Sequence, residues 1–231
     1  SQTGGSIAMG NITIVQNSGN LSFTNLSGAA VALVAPSGSI SQSGPLVATT
    51  VTTSSHAGTS LTNSSNQFSN LFAENLGTGA IDIVNSVPLN VLGLDNADGN
   101  ITVSTTGAMS TFGPVTAATG SVSLAANGSG GNLGIFAPVT AADQVVLAAA
   151  DTLTQDAAVV GVNGVTADAG LAMVFGTQAT ANYAPVVYRI GGVVTASPPT
   201  VVTDVLGGLE QLLGEVFAEF VVEEEPIVAA E

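Results

Sequence analysis

A short phrase returns along this chain: Gly with a small or polar neighbour, then apolar, Ser/Thr/Asp, apolar. It stands at Gly19-Asn20-Leu21-Ser22-Phe23, Gly79-Ala80-Ile81-Asp82-Ile83, Gly99-Asn100-Ile101-Thr102-Val103 and Gly120-Ser121-Val122-Ser123-Leu124. A second phrase interleaves with it and reads as a Pro-containing turn: Gly44-Pro45-Leu46-Val47-Ala48, Gly113-Pro114-Val115-Thr116-Ala117 and Ala137-Pro138-Val139-Thr140-Ala141. Equivalent positions lie 20 residues apart (Ile81 to Ile101), 21 (Ile101 to Val122) and 24 (Pro114 to Pro138). A segment this short cannot bury its own apolar side, so each copy must be completed by its neighbours. With strand-like alternation inside each copy, the pattern predicts a stacked β-solenoid.

Composition agrees. The apolar share is 45%, mostly Val, Ala, Leu and Ile, while only 4% is aromatic and Cys and Trp are absent. Such residues suit a narrow core whose layers repeat, and their regular alternation argues against a disordered chain. One basic residue, Arg189, faces sixteen acids, eight of which fall within residues 204–231. Phosphate recognition depends on Lys and Arg, so a nucleic-acid partner is not expected, and anionic membrane surfaces are disfavoured. No run approaches the roughly 18 apolar residues of a membrane span, so no membrane insertion is expected. The lack of Cys fits an exported chain. Ser1-Gln2-Thr3-Gly4-Gly5 has neither the basic region nor the apolar stretch of a signal peptide. The expectation is a mature or excised segment at an extracellular or bacterial cell-surface location.

Strands are expected at 11–15, 21–24, 30–34, 46–51, 80–84, 89–92, 100–104, 121–125, 133–136, 144–147, 159–162 and 171–175, each bounded by turn residues. The reading is a solenoid over 1–182, an irregular Pro-containing linker over 183–202 and an acidic tail over 203–231. Eight or nine coils at about 4.8 Å each would stand roughly 40 Å tall. Asn20, Asn100, Thr102, Thr116 and Thr140 are placed to form side-chain ladders. In the tail, Val205, Leu209, Leu212, Val216 and Phe220 fall at helical spacing after a Thr203 or Asp204 cap, and Ile227 and Val228 lie in a short apolar run. These seven residues are the expected self-assembly set.

The passage Gly38-Ser39-Ile40-Ser41-Gln42-Ser43-Gly44-Pro45-Leu46 with Asn66-Gln67-Phe68, and Gly99-Asn100-Ile101-Thr102-Val103 with Gly113-Pro114-Val115, resemble the repeats of filamentous-haemagglutinin-like exoproteins of two-partner secretion and autotransporter passengers. The resemblance covers roughly residues 10–175. It implies a right-handed parallel β-helix, secretion across an outer membrane, and a role in adhesion or surface fibres.

Chemistry-bearing residues are sparse. His56 is the only histidine, with no Cys to complete a metal site and no nearby acid for a catalytic pair. Asp95-Asn96-Ala97-Asp98-Gly99-Asn100 has calcium-loop residue types without calcium-loop spacing, and reads as an Asp/Asn-Gly turn. Asp82, Asp143, Asp151, Asp156 and Asp168 are scattered singly, where sugar-cleaving β-helices need paired acids. Asn-x-Ser/Thr sequons occur at Asn11, Asn20, Asn25, Asn63, Asn100 and Asn127, as chance allows in so Asn- and Ser-rich a chain. The expected function is therefore non-catalytic and cofactor-free: a structural unit of a fibre assembled from copies of itself. The alternative is a monomeric adhesin binding surface glycans through Tyr183, Tyr188 and Arg189. Ice binding through the Thr49–Thr53 patch ranks last.

Overall fold

The computed structural model describes Ser6–Ile7, residues 10–182 and residues 186–194, all within one unit, Ser1–Thr200. The described residues form a parallel β-solenoid and contain no helix. One face is a single sheet of nine parallel strands: Leu21–Phe23, Ile40–Gln42, Thr59–Leu61, Ile81–Asn85, Ile101–Thr106, Val122–Asn127, Gln144–Ala149, Gly164–Ala169 and Val186–Ile190. The second sheet bends across the rest of each coil. Its early strands, such as Leu46–Ser55, Gln67–Thr78 and Leu89–Asp98, run through the bend unbroken. Later coils split the same course in two, as in Met109–Thr111 with Val115–Ala117 and Leu133–Ile135 with Val139–Ala141.

The repeat spacing read from the sequence is the pairing register. Ile101 pairs with Ile81 on one side and Val122 on the other, and Val115 pairs with Val139. Because a strand alternates its side chains, fixing one such pair fixes which residues face inward for the whole rung. The interior is accordingly built of columns. One runs Ile81, Ile101, Val122, Val145, Val165. Another runs Leu89, Met109, Leu133, Leu153, Met173.

All twelve expected segments carry strand. The Pro-Val-Thr-Ala phrase, however, is not a turn throughout: Val115–Ala117 and Val139–Ala141 are strands, Val and Ala pointing inward and Thr outward. Pro precedes each strand, where its missing N–H costs no ladder bond. The segment read as an irregular linker also contains a solenoid strand, since Val186–Ile190 pairs in parallel with Gly164–Ala169. Gly191 and Gly192, with φ of 56° and 80°, then reverse the chain so that Val193–Val194 pairs antiparallel with Val186–Ile190, a two-residue hairpin of the primed-turn type. Tyr183, the helix residues Val205, Leu209, Leu212, Val216 and Phe220, and Ile227 and Val228 lie outside the described residues.

Corners carry the second layer of specification. Gly99 has φ of 131°, and a Cβ there would stand 2.5 Å from the Gly79 carbonyl oxygen of the coil beneath. The Gly of the repeated phrase is thus a steric requirement of coil-on-coil contact. At the adjoining corner a buried column reads Ala35, Ser55, Asn75, Asn96, Ala117, Ala141, Gly161. Asn75 Nδ2 donates to Asn96 Oδ1 at 2.8 Å, and Ser55 Oγ donates to Asn75 Oδ1 at 3.2 Å. A second amide cluster joins Gln42, Asn66 and the backbone of neighbouring coils.

Candidate functional site

The tyrosine–arginine cluster expected to touch a ligand is divided by the fold. Tyr188 is 1% exposed. It stands over the small Ala167, donates its hydroxyl to the buried Gln155 Oε1 at 2.7 Å, and meets Phe175 edge-on at 5.5 Å. Burial holds its phenol above the ordinary value despite the Gln155 bond. Tyr188 is therefore a core plug of the last coil and presents no ring at the surface. Its neighbour Arg189 points outward and pairs with Asp168 of the preceding coil at 3.5 Å, with both side chains partly exposed.

Carboxylates scattered in sequence act singly, as clamps between coils. Asp98 accepts from Thr119 Oγ1, Asp143 from Ser121 Oγ and Asn163 Nδ2, Asp151 from the Gly130 amide, and Asp156 from the Gln178 amide. The Ser121 bond, then the Asn163 bond, hold the Asp143 carboxyl below the usual carboxylate range. In the stretch that has calcium-loop residue types, Asp95 is exposed while Asn96 is buried, bonded to Asn75, Gly79 and Asn100. Strand alternation thus sends neighbouring groups to opposite sides. Among the described residues, no group of three His or acidic side chains is placed to share a metal ion. His56 is an exposed turn residue.

The expected ladders are partly realised. Thr116 and Thr140 are Cα partners, whereas Thr102 stacks between Asp82 and Ser123. Asn20 and Asn100 do not stack on each other. Each accepts the backbone N–H of the next coil, from Ser39 and Ser121, at 3.0 and 2.9 Å.

The feature that sequence reasoning missed is an apolar ridge where the second sheet bends. Phe72, Leu92, Phe112 and Phe136 follow one another on four successive coils and are 39%, 44%, 58% and 45% exposed. The Phe112 and Phe136 rings stack, with centroids 5.7 Å apart and planes 16° from parallel. Beside the ridge lies an open groove of about 380 Å³, lined by Phe72, Leu92, Gly93, Leu94, Asp95, Pro114 and Thr116. The signal was available: the four residues recur at intervals of 20, 20 and 24, the repeat itself. It was passed over because Leu92 and Phe136 stand at the ends of the expected strands 89–92 and 133–136, while Phe72 and Phe112 fall outside every expected strand. Leu92 is instead the extra residue of a β-bulge between Val91 and Gly93, and Phe136 follows the strand Leu133–Ile135.

No family model, curated protein or solved structure matches this chain.

Proposed function

We propose that this chain is a non-catalytic β-solenoid building block of a bacterial extracellular or surface fibre, of the filamentous-haemagglutinin-like repeat type, joining copies of itself head-to-tail. The observation that supports this reading most is the continuity of the stack. Nine rungs succeed one another with the core columns unbroken, and polar side chains are spent on coil-to-coil contacts. Such a unit supplies length and stiffness. Strands at its ends, Leu21–Phe23 at one and Ala172–Phe175 and Thr180–Asn182 at the other, pair on one side only among the described residues. Unpaired edges are templates for another strand. A contact between unlike ends of two copies does not close, so repetition yields an open filament.

Negative-stain electron microscopy of the purified chain tests this. Filaments many times longer than the roughly 43 Å expected of nine rungs at about 4.8 Å are the expected result, with loss of filaments on replacing Met173, partly buried at the open end, by Lys. Isolated short particles at every concentration up to the millimolar range would overturn it. Deleting residues 204–231 asks separately whether the tail forms the joint.

A further inference from the structure

We propose that the ridge and its groove dock an extended, apolar and cationic segment of another protein, one carrying both hydrophobic and Lys/Arg side chains. The first observation is the ridge itself. With about 150–250 Å² on each aromatic ring, the exposed fractions leave the four side chains presenting on the order of 300–400 Å², within the range of a typical monomer's largest apolar patch, which is often functional. Outward positions nearby are otherwise polar, as in Ser54, Asn90, Thr116 and Thr140.

Charge is the second, independent observation. Glu74 and Asp95 are Cα partners on adjacent rungs and share the outer face beside the groove, and Asp95 lines it. Like charges directly opposite one another on a sheet destabilise it. Neither carboxylate has a hydrogen-bond or ion-pair partner among the described residues; the one ion pair there is Arg189 with Asp168. The ridge also ends on an acid: Asp156 takes on the next coil the position that Phe136 holds, its amide bonding Ile135 as the Phe136 amide bonds Thr111. Every titratable group at the rim is therefore acidic. A Lys or Arg laid across Glu74 and Asp95 relieves their repulsion, while an apolar side chain of the same segment enters the groove between Phe72, Leu92 and Pro114.

A second copy of this chain is the poorer occupant. It carries a single base, Arg189, and ridge against ridge would add like charge to like. The ridge offers at most about half of the roughly 800 Å² per partner that a stable interface buries.

The test uses the full chain at a concentration where it is monodisperse, so its outcome is independent of fibre formation. The probe is a fluorescein-labelled 12-residue peptide of alternating Leu and Lys, followed by anisotropy at 150 mM salt. Expected is saturable one-to-one binding, weakened at least tenfold by Leu92→Ser with Phe112→Ser and about fivefold by Glu74→Gln with Asp95→Asn. Leu171→Ser, on an exposed residue away from the ridge, should leave it unchanged. Peptides alternating Ser and Lys, or Leu and Glu, should bind at least tenfold more weakly. Equal binding of the Ser–Lys peptide, or indifference to both double variants with the circular dichroism spectrum intact, overturns the proposal. So does a wild-type dimer in sedimentation that the Leu92/Phe112 variant dissociates, since that assigns the ridge to a second copy.

Discussion

Replacing Asn75 by Ala should cost more stability than any comparable polar-to-Ala change on the surface of this solenoid. Asn75 is 1% exposed and belongs to three coils at once. Its Oδ1 accepts from the Gly58 amide at 3.0 Å and from Ser55 Oγ at 3.2 Å. Its Nδ2 donates to Asn96 Oδ1 at 2.8 Å and faces the carbonyls of Gly77, Thr78 and Gly79 at 3.0 to 3.1 Å. Alanine leaves the Gly58 N–H without an acceptor and deprives Asn96 Oδ1 of its donor. Each orphaned buried group costs about 1–3 kcal/mol, so the expected loss is about 3–5 kcal/mol once the small void is included. Against total stabilities of about 5–15 kcal/mol, that is a large fraction.

Where the loss falls matters as much as its size. Solenoid stability is a sum of nearest-neighbour terms, and a long array need not unfold in one step. Hydrogen exchange read strand by strand is therefore the right assay. Protection in Thr59–Leu61, Ile81–Asn85 and Leu89–Asp98 should fall about a hundredfold or more, given that each 1.4 kcal/mol is a factor of ten, while Gln144–Ala149 changes far less. Asn90→Ala, which removes a partly exposed amide bonded to Asn70, should cost under about 1 kcal/mol. A loss at Asn75 no larger than that at Asn90, or one spread evenly over all coils, would refute the reasoning.

Three further changes follow from single contacts. Thr53 Oγ1 is buried without a partner between Leu33 and Ala73, so the near-isosteric Thr53→Val should raise stability by about 1–2 kcal/mol in chemical denaturation. Gly99→Ala combines a φ of 131° with a Cβ 2.5 Å from the Gly79 oxygen and should destabilise by about 2–3 kcal/mol. At Asp143 the native state favours the ionised carboxyl, through Ser121 first and Asn163 second. Its contribution is therefore complete above the ordinary carboxylate value and disappears as pH falls through the lower native value. Asp143→Ala should flatten the acid limb of the stability–pH curve and leave its slope near neutral pH unchanged.

Much of this architecture is legible in the sequence because a solenoid repeats its solutions. Ile81, Ile101 and Val122 announce their column by spacing alone, and Gly79, Gly99 and Gly120 announce the corner. Thr59–Leu61 and Met109–Thr111 went unread because a buried Thr takes one of their two inward positions, and Gln67–Thr78 because the run Leu71-Phe72-Ala73 interrupts its alternation. The Tyr188–Arg189 pair was misleading for a simpler reason: adjacent residues on a strand face opposite ways, so only Arg189 reaches the surface. A ridge of exposed apolar side chains has no period of its own. Phe72, Leu92, Phe112 and Phe136 share the core's spacing, and each points outward because it directly follows an inward residue, Leu71, Val91, Thr111 or Ile135.

The unequal repeat lengths have a structural consequence at the corner column. Five residues separate Asn75 from Ile81, four separate Asn96 from Ile101 and Ala117 from Val122, and three separate Ala141 from Val145 and Gly161 from Val165. The widest turn encloses the amide with the most partners, because Asn75 bonds three carbonyls of that turn. The narrowest turns hold only small residues: Ala141, Gly161 and also Ser55, which three residues separate from Thr59. Gly161 is the extreme case, as a Cβ there would lie 2.3 Å from the Gly164 oxygen. Corner size and turn length are thus matched, and an amide moved to a narrow corner should fail where a moderate one tolerates it. Ala141→Asn should destabilise the solenoid by about 2 kcal/mol or more through overpacking and an unsatisfied amide, and Ala117→Asn, stacked directly on Asn96, should cost less. Equal losses at the two positions in urea titrations would mean that turn length does not govern what the corner can hold.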